Sequence, residues 1–126
     1  MKNVVIFSVF RNIGESVNLK TNKIEHDRIL TLLNEFGAAQ ALGYYKGHME
    51  LSIVLPLNPL NLVMAKNFAD KYNQESILVV DELCNASLLY QSNKRLPLGK
   101  MKAIGDHEAN KLESYTWFKG EYYSAQ

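Results

Sequence analysis

Apolar residues fall in short runs divided by polar stretches, and their period changes along the chain. The run "NVVIFSVF" is β-branched and aromatic and predicts a first strand over residues 3–10. The polar stretch "RNIGESVNLKTN" reads as a loop ending at Asn22, and Glu25 three residues on gives the spacing of a capping box. Ile24, Leu30, Leu33 and Phe36 then recur at helical spacing, with Ile29 and Leu32 widening the stripe and Gly37 as the stop. "AAQALGYYKG" and "MELSIVL" alternate as two strands joined by a tight turn at residues 46–48, where Gly47 supplies a permissive backbone. In "NPLNLVMAKNFADKYN", Asn58 caps a second helix and Pro59 takes its first position, which makes "PLNP" helix-start geometry. Leu60, Met64, Phe68 and Tyr72 step along one face of it, beside Val63 and Ala65. "SILVVD" and "ASLLYQ" read as fourth and fifth strands. In the tail, "DHEANKLE" reads as a solvated helix or loop and "SYTWFKG" as a late strand.

The order β-α-β-β-α-β is the split βαβ pattern. It predicts an α+β, ferredoxin-like sandwich, an antiparallel sheet with two helices on one face, followed by an extra C-terminal segment. The strands "VVIF" and "ILVV" are apolar at successive positions, which calls for burial on both faces. One helical layer covers only one face, so the pattern points to self-association through the sheet.

Composition narrows the class. With 126 residues the chain is read as a single domain, 1–126, long enough to bury its own core. A hydrophobic content of 47% and a charged content of 21% are ordinary for a globular protein. A net charge of +1 argues against a partner recognised mainly by its phosphates, so no nucleic acid is expected. "MKNVVIFSVF" is short, is broken by "RNIGES" and lacks a cleavage site, and no run approaches the length of a bilayer span. No membrane partner is expected. The lone cysteine, Cys84, reads as a small buried hydrophobe in a cytoplasmic protein.

Few motifs for chemistry emerge. His26, His48 and His107 are scattered and read as solvated, so no metal site is expected. "GKMKAIG" lacks the P-loop pattern. Phe7 and Phe10 on the first strand raise the RNA-recognition reading, but "MELSIVL" offers no aromatic partner for base stacking. One residue stands out. Glu50 sits where the apolar strand "LSIVL" begins, either as a wetted strand end or as a carboxylate held against a ligand.

"FSVFRN", "GYYKGHMELS", "AKNFADKYNQESILVVD" and "ASLLYQ…RLPLG" occur in an order that resembles the phage-encoded S-adenosylmethionine (SAM) lyases, formerly called SAM hydrolases. The resemblance covers about residues 4–102; its most specific pieces are Ser8-x-Phe10-Arg11 and the run from Gln74 to Val80. It implies a homotrimer with SAM bound between protomers. It also implies a phage product that depletes SAM in the host cytoplasm and blunts restriction, and it leaves room for a host protein partner. SAM is then substrate, and no cofactor is implied.

The chemistry this implies needs little machinery. The carboxylate of SAM can attack its own γ-carbon, closing a five-membered lactone while methylthioadenosine leaves as a neutral thioether. No general acid or base is required, so positioning and partial desolvation carry the reaction. On this reading Glu50 anchors the α-amino group, orients a tyrosine or lies near the sulfonium, and anchoring is preferred. Tyr45 is its aromatic partner and Tyr44 the alternate; opposite strand faces mean that only one lines the site. The backbone from Ser8 through Phe10 to Arg11 forms a wall for adenine or the methionyl carboxylate. Arg11 is either a carboxylate fork or half of a structural salt bridge. Gln74, Glu75 and Ser76 either contact adenine through the main chain or only turn helix into strand. "SYTWFKGEYY" is a trimer contact or a lid. A hydrolase giving homoserine directly, or a non-catalytic antirestriction module, are the competing readings.

Overall fold

The structure, a computed structural model, describes residues 1–11, 19–45 and 47–126. Its strands are β1 (Val4–Phe7), β2 (Ala39–Tyr45), β3 (His48–Pro56), β4 (Ser76–Val80), β5 (Asn85–Tyr90), β6 (Arg95–Ile104), β7 (Ser114–Phe118) and β8 (Glu121–Ala125). Its α-helices are α1 (Leu19–Leu32), α2 (Pro59–Lys71) and the short α3 (Asp106–Ala109), and a 3-10 turn spans Asn34–Phe36. The strands close into one antiparallel barrel in the order β1-β3-β2-β7-β8-β6-β5-β4.

Closure overturns the ferredoxin-like sandwich. In an open sheet of the first four strands, β2 and β4 would be edges. Instead Leu42 to Tyr45 of β2 pair with Trp117 to Ser114 of β7, and all of β4 pairs with β5. Strands β6 and β8 complete the ring. Barrels remove the unpaired edges that open sheets must protect.

The two-sided burial of the central strands thus has an intrachain cause. Val5 and Phe7 face the helices, with Ile53, Leu55, Ile77 and Val79 beside them and Ile29, Leu33, Ala65 and Ala69 above. Phe7 stacks on Phe68 of α2 at 5.9 Å between ring centroids, so it is core. Burying such a ring contributes about 3 kcal/mol. Val4 and Ile6 point the other way, into the barrel, where they meet Ala41, Val54, Leu78 and Phe118. Met1, Leu98, Met101 and Tyr123 fill the same interior from the β6–β8 side. The far half of the barrel therefore covers the face that the sequence left open.

The helices depart from their predicted faces. α1 begins at Leu19, so Asn22 lies within it and does not cap it. Its buried line is Asn22, His26 and Ile29, continued by Leu33 just past its end, while Ile24 and Leu32 are exposed. His26, read as solvated, is fully buried and its Nε2 lies 2.9 Å from Gln40 Oε1 on β2. α2 starts as expected: the Asn58 side chain accepts from the Asn61 N–H at 2.8 Å and Pro59 follows. Its buried line is Asn61, Ala65 and Ala69, three small residues that let the helix sit close to the sheet, while Leu60 and Val63 are exposed.

Cys84 is half-buried, in a left-handed turn at φ 65°, and not a core residue. Most of the loop predicted after β1, and Lys46 of the β2–β3 turn, lie outside the described residues. Gly47 adopts φ 85°, the conformation that its turn requires. Among the described residues no helix is long and apolar enough to cross a membrane.

Candidate active site

The barrel interior opens at one end into a cavity of about 780 Å³. That volume lies within the usual range of small-molecule sites, roughly 300–1,000 Å³. Met1 and Val4 pack into the barrel beside Leu78 and Val80, while the opposite end of β1 leads through Ser8, Phe10 and Arg11 along the cavity wall.

Strand alternation decides what faces inward. β2 and β3 pair Ala41 with Ser52, Gly43 with Glu50 and Tyr45 with His48. Since Ala41 and Val54 are interior, Ser52, Glu50 and His48 follow on the same face. Glu50 thus projects into the cavity, and its cross-strand neighbour is Gly43, which puts no side chain beside it. Glu50 is the only carboxylate among the described residues that line the cavity.

Two influences act on that carboxyl. Burial pushes its pKa up from the ordinary value, and a hydrogen bond donated by the Ser8 hydroxyl to Oε1 pulls it back in part. Ser8 is itself buried and fixed, since its oxygen accepts from the Phe10 N–H at 3.0 Å. A half-desolvated carboxylate with no cationic partner among the described residues favours a positively charged ligand.

Aromatic residues surround it. Tyr45 and His48 stand at the mouth, and Tyr44, Tyr115, Tyr123 and Phe10 line the wall. Tyr44 stacks on Tyr115 across β2 and β7 at 4.8 Å, and Tyr122 meets Tyr115 edge-on at 5.3 Å. Tyrosine faces carry the negative potential that cations seek. Tyr45 shares the inward face of Gly43 and Glu50, while Tyr44, paired with Met49 and Tyr115, takes the other face of the strand and borders the cavity where the hairpin ends at its rim.

Gln74 and Ser76 also line the cavity. The Gln74 side chain donates to the Phe10 carbonyl and holds the wall in place. Glu75 is exposed and outside the lining; its carbonyl accepts from the Gln91 N–H at 3.2 Å as part of the helix-to-strand turn. The Arg11 guanidinium lies over the Tyr72 ring, 5.7 Å from its centroid.

Two groups of residues escaped sequence reasoning. Asn22, taken for a cap, accepts from the Arg11 N–H at 3.0 Å and donates to the Arg11 carbonyl at 3.3 Å, which fixes the end of the wall. Ser114, Tyr115, Thr116, Tyr123 and Ser124 continue the wall beyond β2, on β7 and β8. "SYTWFKGEYY" is therefore the β7–β8 hairpin of the barrel wall and not a separate lid. The aromatic content of the tail was its signal; its place in the cavity wall depends on barrel closure.

Fold and site together define a small-molecule-binding antiparallel barrel with an acid-bearing, aromatic cavity suited to a cation. The chain belongs to the S-adenosylmethionine lyase family, whose model matches residues 5–126. It is accordingly a lyase acting on SAM, a sulfonium cation of the kind this cavity suits. No curated protein shows a significant match to it.

Proposed function

We propose that the protein degrades SAM by intramolecular attack, yielding methylthioadenosine and L-homoserine lactone. A lone pair of the methionyl carboxylate forms the bond to Cγ. The Cγ–S bond breaks with its electron pair passing to sulfur, so the sulfonium becomes a neutral thioether. No proton moves and no cofactor takes part. The observation that carries this reading is Glu50, one carboxylate in a cavity whose other described lining residues are neutral or aromatic, Arg11 and His48 apart.

Glu50 holds the substrate's positive charge, its amino group by preference, and leaves the substrate carboxylate free to react. Tyr45 and Tyr44 face the adenosyl or sulfonium portion, and the Ser8–Arg11 wall with Gln74 and Ser76 bounds the rest. Opposite charges merge as the bond forms, so a cavity less polar than water favours the transition state over the separated ions. Restricting the methionine chain to its curled conformer supplies the remaining acceleration.

Assembly and biological role follow the family resemblance: a homotrimer with sites completed between protomers, acting in phage antirestriction. Leu19, Tyr45 and Met49 support this, being exposed apolar residues at the cavity rim, 72%, 60% and 56% accessible. Brief turnover in oxygen-18 water tests the chemistry. The expected early product is unlabelled lactone; homoserine labelled from the first turnover would establish direct hydrolysis instead.

A further inference from the structure

Ser8 lies where β1 passes into the cavity wall, and its hydroxyl meets three groups. They are the Phe10 N–H at 3.0 Å, the Leu51 carbonyl at 3.2 Å and Oε1 of Glu50. A serine hydroxyl has one proton and two lone pairs. The Phe10 N–H occupies one lone pair. The proton faces two acceptors and can serve one at a time.

Each choice suits one charge state of Glu50. With Glu50 ionised, the Ser8 proton goes to Oε1. With Glu50 protonated, its own O–H donates to the second lone pair of Ser8, and the Ser8 proton turns to the Leu51 carbonyl. Ser8 keeps its bonds to Glu50 and to the Phe10 N–H both ways, with the heavy atoms unmoved. Two of the three contacts are main-chain groups, so the pivot is anchored by the strands themselves.

We propose that Ser8 is a positioning residue, a hydroxyl rotor that holds Glu50 in one place in both charge states, so that the cavity acquires its negative charge, releasing a proton to solvent, as a cationic ligand enters. This rests on the reading that the ligand is a cation held by Glu50. Other titratable groups among the described residues border the same space. They are Tyr44 and Tyr45 of β2, His48 of β3, Tyr115 of β7, Tyr123 of β8 and, beyond β1, Arg11. None of them figures in the displacement of the Glu50 carboxyl, which comes from burial upward and Ser8 downward. The released proton comes from the Glu50 carboxyl and is taken up by buffer; no bond to the ligand forms.

Calorimetry on the wild-type protein tests the idea without a mutation. The probe is the nitrogen analogue of SAM in which C–NH3⁺ replaces the sulfonium, so that it binds as a cation and is not cleaved. Measured below neutral pH in buffers of different ionisation enthalpy, the binding heat is expected to vary with the buffer. The variation should report release of up to one proton per site, falling away as pH rises. Ser8→Ala should move the acid limb of the kcat/KM profile to higher pH, because the charge-assisted bond to ionised Glu50 is stronger than the neutral bond that Ser8 accepts from the protonated carboxyl, and Ser8→Thr should restore it. A packing role alone would lower activity evenly across pH. Binding with buffer-independent heat, or an unmoved acid limb in Ser8→Ala, would overturn the rotor and leave the functional reading intact. Absence of binding would overturn that reading and the rotor with it.

Discussion

Glu50 ties chemistry to stability at a single residue. Its pKa is raised by burial, so it contributes stability below its ordinary value of 4.5, and that contribution is lost as pH rises through the raised folded value. Glu50→Gln should therefore melt at a higher temperature than the wild type at neutral pH, with the gap closing as the solution is acidified. The same substitution removes the anchoring charge and should lower kcat/KM by about ten- to a hundredfold, the worth of a charge-assisted bond. Scanning calorimetry over a pH series, with steady-state assays, checks both; unchanged stability and activity would return Glu50 to a wetted strand end. This residue was legible in the sequence because an acid at the start of "LSIVL" is out of pattern. The role of Asn22 was not legible, since a capping residue and a residue holding a neighbouring backbone look alike until the helix start is fixed.

Among the elements, the two helices are joined to each other as well as to the barrel. The Tyr72 hydroxyl at the end of α2 donates to Glu25 Oε2 on α1 at 2.6 Å and accepts from Arg28 at 3.2 Å. The Arg28 guanidinium first, and Tyr72 second, hold the Glu25 carboxyl at about 2, below its ordinary 4.5. Stability from this group is present above 4.5 and lost as pH falls toward 2. Glu25→Gln should thus destabilise at neutral pH, and the difference from wild type should shrink over that acid window in urea titrations. A second element-level constraint lies in β6. Gly99 has φ 106°, and a Cβ there would sit 2.5 Å from the backbone of Gln126. Gly99→Ala should lower the melting temperature through strain and displacement of the β8 end, by the equivalent of roughly 1–3 kcal/mol. The presence of the elements through β5 was readable from period, and the start of α2 from its cap, whereas the cap expected for α1 lies within the helix. β6 was not, because "RLPLGKMKAI" carries Arg95, Lys100, Lys102 and Pro97 and only its inward positions are apolar.

Closure is the property of the whole molecule that local patterns did not reveal. Two-sided burial of "VVIF" was read correctly as a demand, but a second protomer was expected to meet it. The chain meets it alone, by bringing a β7–β8 hairpin from the tail against β2. Such long-range pairing leaves no periodic trace, since each strand of the tail alternates like any half-buried strand. Hydrogen exchange offers a check. Amides of residues 42–45 and 76–80 should be protected along their full length, whereas an open sheet would leave alternate amides of both strands exchanging like loops.

Closure also produces the cavity in which, on the proposed mechanism, SAM is cleaved by its own carboxylate. Decarboxylated SAM puts this mechanism to the test, because it keeps the sulfonium, the amino group and the adenosyl moiety and lacks only the nucleophile. It should bind as a competitive inhibitor and yield no methylthioadenosine above the uncatalysed rate. Its cleavage at a rate comparable to that of SAM would show that another nucleophile attacks and would contradict the mechanism.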